Sequence, residues 1–140
     1  MSKLFTLREV VGQAQIEVGI AQTMPAVVIG SLDQDIAQMA ALMQAVADEV
    51  LLEEPYRTTL GDGIWVSDAV GKPRPNGPAA DTDLILFDSR LAVDGLKMRF
   101  LAAKGLEFGE QLRDFNTRLS KLAQTSARIL DLDAEGGRSI

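Results

Sequence analysis

A chain of 140 residues, 46% of them apolar and 24% charged, has the size and composition of one domain with a packed core. It has no cysteine and no histidine, which excludes disulfides, thiolate metal sites, cysteine nucleophiles, Ser-His-Asp triads and imidazole-ligated zinc. The net charge of -6 argues against a broad basic face gripping DNA phosphates, and catalysis would be left to carboxylates, lysines or hydroxyls.

The opening Met1-Ser2-Lys3-Leu4-Phe5 carries no long apolar run ahead of Arg8, so no signal peptide is expected. No later stretch reaches the roughly 20 apolar residues of a membrane span, and the expectation is a soluble protein made in the cytoplasm. Thr6-Leu7-Arg8-Glu9 has capping-box form, a hydroxyl followed three residues later by a carboxylate, and predicts a helix over 7–20. Its apolar face is Leu7, Val10, Val11, Ala14 and Val18, and Gly19 with Met24-Pro25 argues for a stop. Ser31-Leu32-Asp33-Gln34 has the same form and predicts a longer helix over 32–54. Leu32, Ile36, Met39, Met43, Val46, Val50 and Leu51 make its buried stripe, and Pro55 ends it.

From Tyr56 to Thr82 the character changes, with Gly61-Asp62-Gly63, Gly71, Pro73, Pro75 and Asn76-Gly77-Pro78 among few helix formers. Ile64-Trp65-Val66 has strand-forming residues, and Ala69-Val70 could continue or pair with it, so 56–82 is read as an inserted β-hairpin or extended arm. Two roles stand open for Trp65, a cover over the helices or an anchor between subunits. The same loop carries Lys72-Pro-Arg74-Pro, a stiff basic tip that is either simply solvated or in contact with an acidic surface or a nucleic-acid backbone.

A third helix is expected over 89–104, with Leu91, Leu96, Phe100 and Leu101 as apolar contacts and Lys104-Gly105 as its C-terminal cap. Arg90, Lys97 and Arg99 lie mostly elsewhere on it. After a tight turn a fourth helix over about 107–130 carries the seam Phe108, Leu112, Phe115, Leu119 and Leu122, and residues 131–140, with Gly136-Gly137, read as a flexible tail. The fold class expected is all-α, a four-helix bundle with the inserted hairpin or arm and the tail.

Chemical motifs mostly fail on inspection. Asp131-Leu-Asp133-Ala-Glu135-Gly136 imitates an EF-hand start, but the closing glutamate would fall beyond the last residue given. Gly71-Lys72 resembles the end of a P-loop, but Val66 stands for its leading glycine and Pro73 for its hydroxyl. Asp81-Thr-Asp83 suits caps or dipole partners better than Mg²⁺. Glu110 with Arg113 and Asp114 with Arg118 are spaced for intrahelical pairs. No catalytic constellation, cofactor site or metal site is expected. Charge is unevenly spread, with 3 basic and 10 acidic side chains over residues 1–70 and 11 and 10 over 71–140. This fits solvated helix faces or a head-to-tail contact between subunits.

Residues 87–108, Phe-Asp-Ser-Arg-Leu-Ala-Val-Asp-Gly-Leu-Lys-Met-Arg-Phe-Leu-Ala-Ala-Lys-Gly-Leu-Glu-Phe, resemble the second half of small phage head-to-tail adaptors, the group that includes tail accessory proteins of short-tailed phages. The shared pattern is an acidic helix start, a Gly-hydrophobic-Lys-aromatic-Arg core, an Ala-Lys-Gly-Leu turn and a long helix with an aromatic and leucine seam. Met98 departs from it, standing where an aromatic is common. The first half matches more loosely, through the order of its elements and Tyr56. The resemblance implies a non-enzymatic virion protein without cofactors, assembled as a dodecameric ring between the portal and the tail or next neck protein, with double-stranded DNA passing through its lumen unbound. It also implies that the terminal segment reaches the portal, which singles out Ile129, Leu130, Leu132 and Ile140. The alternative is a cytoplasmic helical binding module, a regulator or chaperone-like protein, for which a dimer is expected. An enzyme using carboxylates and Mg²⁺ is third.

Overall fold

The structure is a computed structural model that describes the backbone of residues 4–53 and 56–139 and the side chains of these as far as Gln124. Its described residues form five helices, α1 (Leu7–Val18), α2 (Gln34–Leu51), α3 (Tyr56–Thr59), α4 (Ser89–Ala103) and α5 (Gly109–Ser139), with two short strands, β1 (Val66–Ser67) and β2 (Leu84–Ile85).

α1 begins as its sequence dictates. The Thr6 hydroxyl accepts from the Glu9 amide, the Glu9 carboxylate accepts from the Thr6 amide, and Gly19 closes the helix in the left-handed region at φ 86°. α2 begins two residues later than expected, because its cap is Asp33, whose carboxylate accepts from the amides of Asp35 and Ile36. The Ser31 hydroxyl is taken by the Asp33 amide. Leu32 therefore lies outside the helix and, at 99% exposure, is not part of the buried stripe. Ile36, Met39, Met43, Val46 and Val50 do form that stripe, joined by Ala47.

α4 is the centre of the packing. It contacts α1, α2 and α5, and on it Leu91, Ala92, Val93, Leu96, Met98 and Phe100 are buried. Gly95 lets the helices approach this closely, since a Cβ there would stand 2.7 Å from Val46 Cγ1 and 2.8 Å from Phe115 Cε1. Gly105, at φ 72°, makes the turn into α5. Among the described side chains of α5, Phe115 and Leu119 are buried, and Leu122, with Phe108 just ahead of the helix, packs partly against the core. Leu112, expected in the middle of that seam, stands at its edge and is 36% exposed. α5 also continues to Ser139, so the residues expected as a flexible tail extend the helix as far as that position.

The segment between α2 and α4 is stitched to the body. β1 pairs antiparallel with β2, Val66 opposite Ile85 and Ser67 opposite Leu84, so the partner is Leu84–Ile85 and not Ala69–Val70. The reason is a turn held by Asp68, whose carboxylate accepts from the amides of Val70 and Lys72 while Gly71 takes φ 97°. The chain before α1 joins on the far side of β2, through the Thr6–Leu84 bridge and the Ile85 amide donating to the Phe5 carbonyl at 3.0 Å. Trp65 and Phe87 are buried at 3% and 1% exposure, and Phe87 meets Tyr56 edge-on at 6.0 Å.

Candidate groove between the fourth and fifth helices

The helical spacing of Arg90, Asp94 and Lys97 places them on one face of α4, and α5 faces them with Arg113, Asp114, Thr117, Arg118, Lys121 and Leu122. Between the two helices lies a groove of about 550 Å³ lined by Arg90, Asp94 and these α5 residues. Asp94, 5% exposed, is its inner anion. Arg90 Nη2 lies 2.8 Å from Asp94 Oδ1, Lys97 Nζ lies 3.8 Å from the same oxygen, and Arg118 Nε lies 3.8 Å from Oδ2.

A second anion reaches the cluster from the end of α1. Glu17 takes both terminal nitrogens of Arg90, one of them at 2.6 Å, and Lys97 Nζ at 2.8 Å. The Arg90 hydrogen bonds, helped by Lys97 and Gln13 and opposed by burial, bring the Glu17 carboxyl down from 4.5 to about 2. The same bond to Glu17, with Asp94 adding to it against the cost of burial, raises the Arg90 guanidinium above its ordinary value. Both groups are thus locked in their charged forms near neutral pH, which suits clamping α1 to α4 and leaves neither able to shuttle protons there.

On the solvent side the expected intrahelical pairs do not form. Arg118 turns across to Asp94 and, at 3.8 Å, to Asp88, while Arg113 and Lys121 have no ion-pair partner among the described residues. Among the described residues the groove therefore presents two cations without an ion-pair partner, Arg113 and Lys121, together with the acid Asp114, beside the partly buried Leu122.

The residues singled out from sequence have other positions. Trp65 belongs to the core. Lys72 is exposed. Arg74 Nε lies 3.1 Å from Asp83 Oδ2, a carboxylate only 1% exposed. Burial alone would raise the Asp83 carboxyl, but the amides of Ala79 and Ala80 and the Arg74 guanidinium outweigh it and hold it below the usual carboxylate value. Asp81 accepts from the amides of Val28 at 2.9 Å and Ile29 at 2.7 Å. These two acids thus act as backbone clips, and among the described residues no group of three or more acidic side chains is placed to hold a metal ion. Ile129, Leu130 and Leu132 fall on α5 where only the backbone is described, and Ile140 lies outside the described residues.

Sequence reasoning missed the Glu17–Arg90–Asp94–Lys97 cluster. The i, i+4 spacing of Arg90 and Asp94 was a usable signal for half of it, but Glu17 is 73 residues away from Arg90 and carries no local mark of the contact. No helix among the described residues is long and apolar enough to cross a membrane. No protein-family model, curated protein or solved structure matches the chain.

Proposed function

We propose that this chain is a structural subunit of a phage neck, a four-helix bundle with an inserted arm that forms a dodecameric head-to-tail adaptor ring in the virion, between the portal and the tail or next neck protein. DNA passes through its lumen without specific binding, and the chain performs no catalysis. One observation carries the reading. α5 has 31 residues and α4, the helix on which it packs, has 15. At 1.5 Å per residue these are roughly 46 Å and 22 Å, so α4 covers at most half of α5. A helix twice as long as the one it packs on is suited to ring neighbours and to a second component beyond the ring.

The acidic balance agrees with a conduit, since basic walls would hold the passing duplex. The test is to mix the purified chain with portal rings and weigh the products by mass photometry. Portal rings carrying a full ring of this chain are expected. Portal rings that stay bare, beside free monomers or dimers of the chain, would refute the neck reading and favour a cytoplasmic binding module.

A further inference from the structure

The unpaired cations of the groove have a matching surface elsewhere on the same chain. At the end of α2, Asp48 and Glu53 are exposed carboxylates flanking Leu52, which is 70% exposed. Asp48 accepts one hydrogen bond, from the neutral amide of Gln44, and neither carboxylate has a cationic partner among the described residues. The corner is thus an apolar side chain between two free negative charges. The groove has the opposite balance, with Leu122 among Arg113, Arg118 and Lys121 and one exposed acid, Asp114.

Among the described residues the two surfaces form no ion pair with each other within the subunit. Glu53 lies beside Asn116, Leu119, Ser120 and Ala123, on one side of the buried Phe115–Leu119 stripe of α5, whereas Thr117, Arg118 and Lys121 line the groove on the other. The helix stands between them. Complementary patches on different flanks of one helix do not share one continuous contact surface, so they pair head to tail, an arrangement that closes into a ring when the rotation between copies allows it.

We propose that the α4–α5 groove receives the Asp48–Leu52–Glu53 corner of a second copy of this chain. This rests on the neck reading, for which it supplies the contact between ring neighbours. The carboxylates meet Arg113 and Lys121, and Leu52 covers Leu122.

Charge exchange on the full-length chain tests it by analytical ultracentrifugation at low salt. The doubly substituted groove, Arg113→Glu with Lys121→Glu, places acid against acid. The doubly substituted corner, Asp48→Lys with Glu53→Lys, places base against base. Each variant alone should self-associate at least about tenfold more weakly than the unaltered chain. An equimolar mixture should regain association, because each variant then offers the surface the other needs. All four residues are exposed, and circular dichroism checks the fold; should a double variant unfold, Lys121→Glu against Asp48→Lys repeats the exchange.

Unchanged association in both variants, no recovery on mixing, or an unaltered chain that stays monomeric overturns the proposal. So does groove-dependent retention of a double-stranded DNA oligonucleotide with self-association untouched. Portal rings that still take up the groove variant as a full ring would remove this contact and leave the neck reading standing. Bare portal rings beside a successful charge exchange would do the reverse.

Discussion

At the residue scale, two positions on α4 carry consequences out of proportion to their size. Gly95 has a helical backbone that any residue adopts, so its need is space and not conformation. Gly95→Ala would drive a methyl into Val46 and Phe115, neither of which has room to yield in a packed core, and should destabilise by about 1–3 kcal/mol, read as a lower urea midpoint at unchanged slope. A more stable alanine variant would show that α4 shifts freely. Glu17 has a sign that can be worked out. Its carboxyl titrates at about 2 in the folded chain against an ordinary 4.5, so its contribution is fully present above 4.5 and is lost as pH falls toward 2. The stability gap between the unaltered chain and Glu17→Gln should therefore be largest above pH 4.5 and close on acidification through this window. A gap that stayed constant with pH would mean that the ionic bonds to Arg90 and Lys97 are not its source.

At the element scale, the inserted segment between α2 and α4 is strapped to the helical body. Arg74 is tied to buried Asp83, its amide donates to the Val66 carbonyl at 2.9 Å, and of Trp65, Lys72 and Arg74 only Lys72 is fully exposed. The loop between α1 and α2 is fastened by Asp81, whose two oxygens serve Val28 and Ile29. Val28 is 1% exposed, and removing the acceptor strands its amide. Asp81→Ala should cost about 1–3 kcal/mol and speed hydrogen exchange at Val28 and Ile29 while leaving the amides of α4 slow at first. Equal acceleration throughout would show that the loop opens only with the whole chain.

At the scale of the molecule, the described side chains of α5 already close on the core, Phe115 and Leu119 buried and Leu122 partly so. Truncation after Gln124 should thus keep a cooperative thermal transition and the circular dichroism of a folded helical chain. Under the neck proposal the same truncation should lose stable portal binding, because the second half of α5 is gone. A pull-down in which the truncated chain still binds portal rings at full strength would move the portal contact to the helical body.

The chain's local chemistry determined its four long helices, because caps and periodic burial act within a few residues. The Thr6–Glu9 box, the stripe from Ile36 to Val50, the Asp88 cap and Gly105 at the α4–α5 turn could all be read in sequence. Leu32 could not, since Ser31 and Asp33 offer equivalent caps and only competition for the amides decides which begins α2. Nor could the strand partner of Val66, because Leu84–Ile85 lies 18 residues further on and only the folded path of the chain brings it alongside. The groove and the ionic cluster were the least legible. Their groups come from α1, α4 and α5, and whether Arg118 pairs along its own helix with Asp114 or across to Asp94 depends on the distance between helices. Sequence spacing sets which charges share a face; packing alone sets which faces meet.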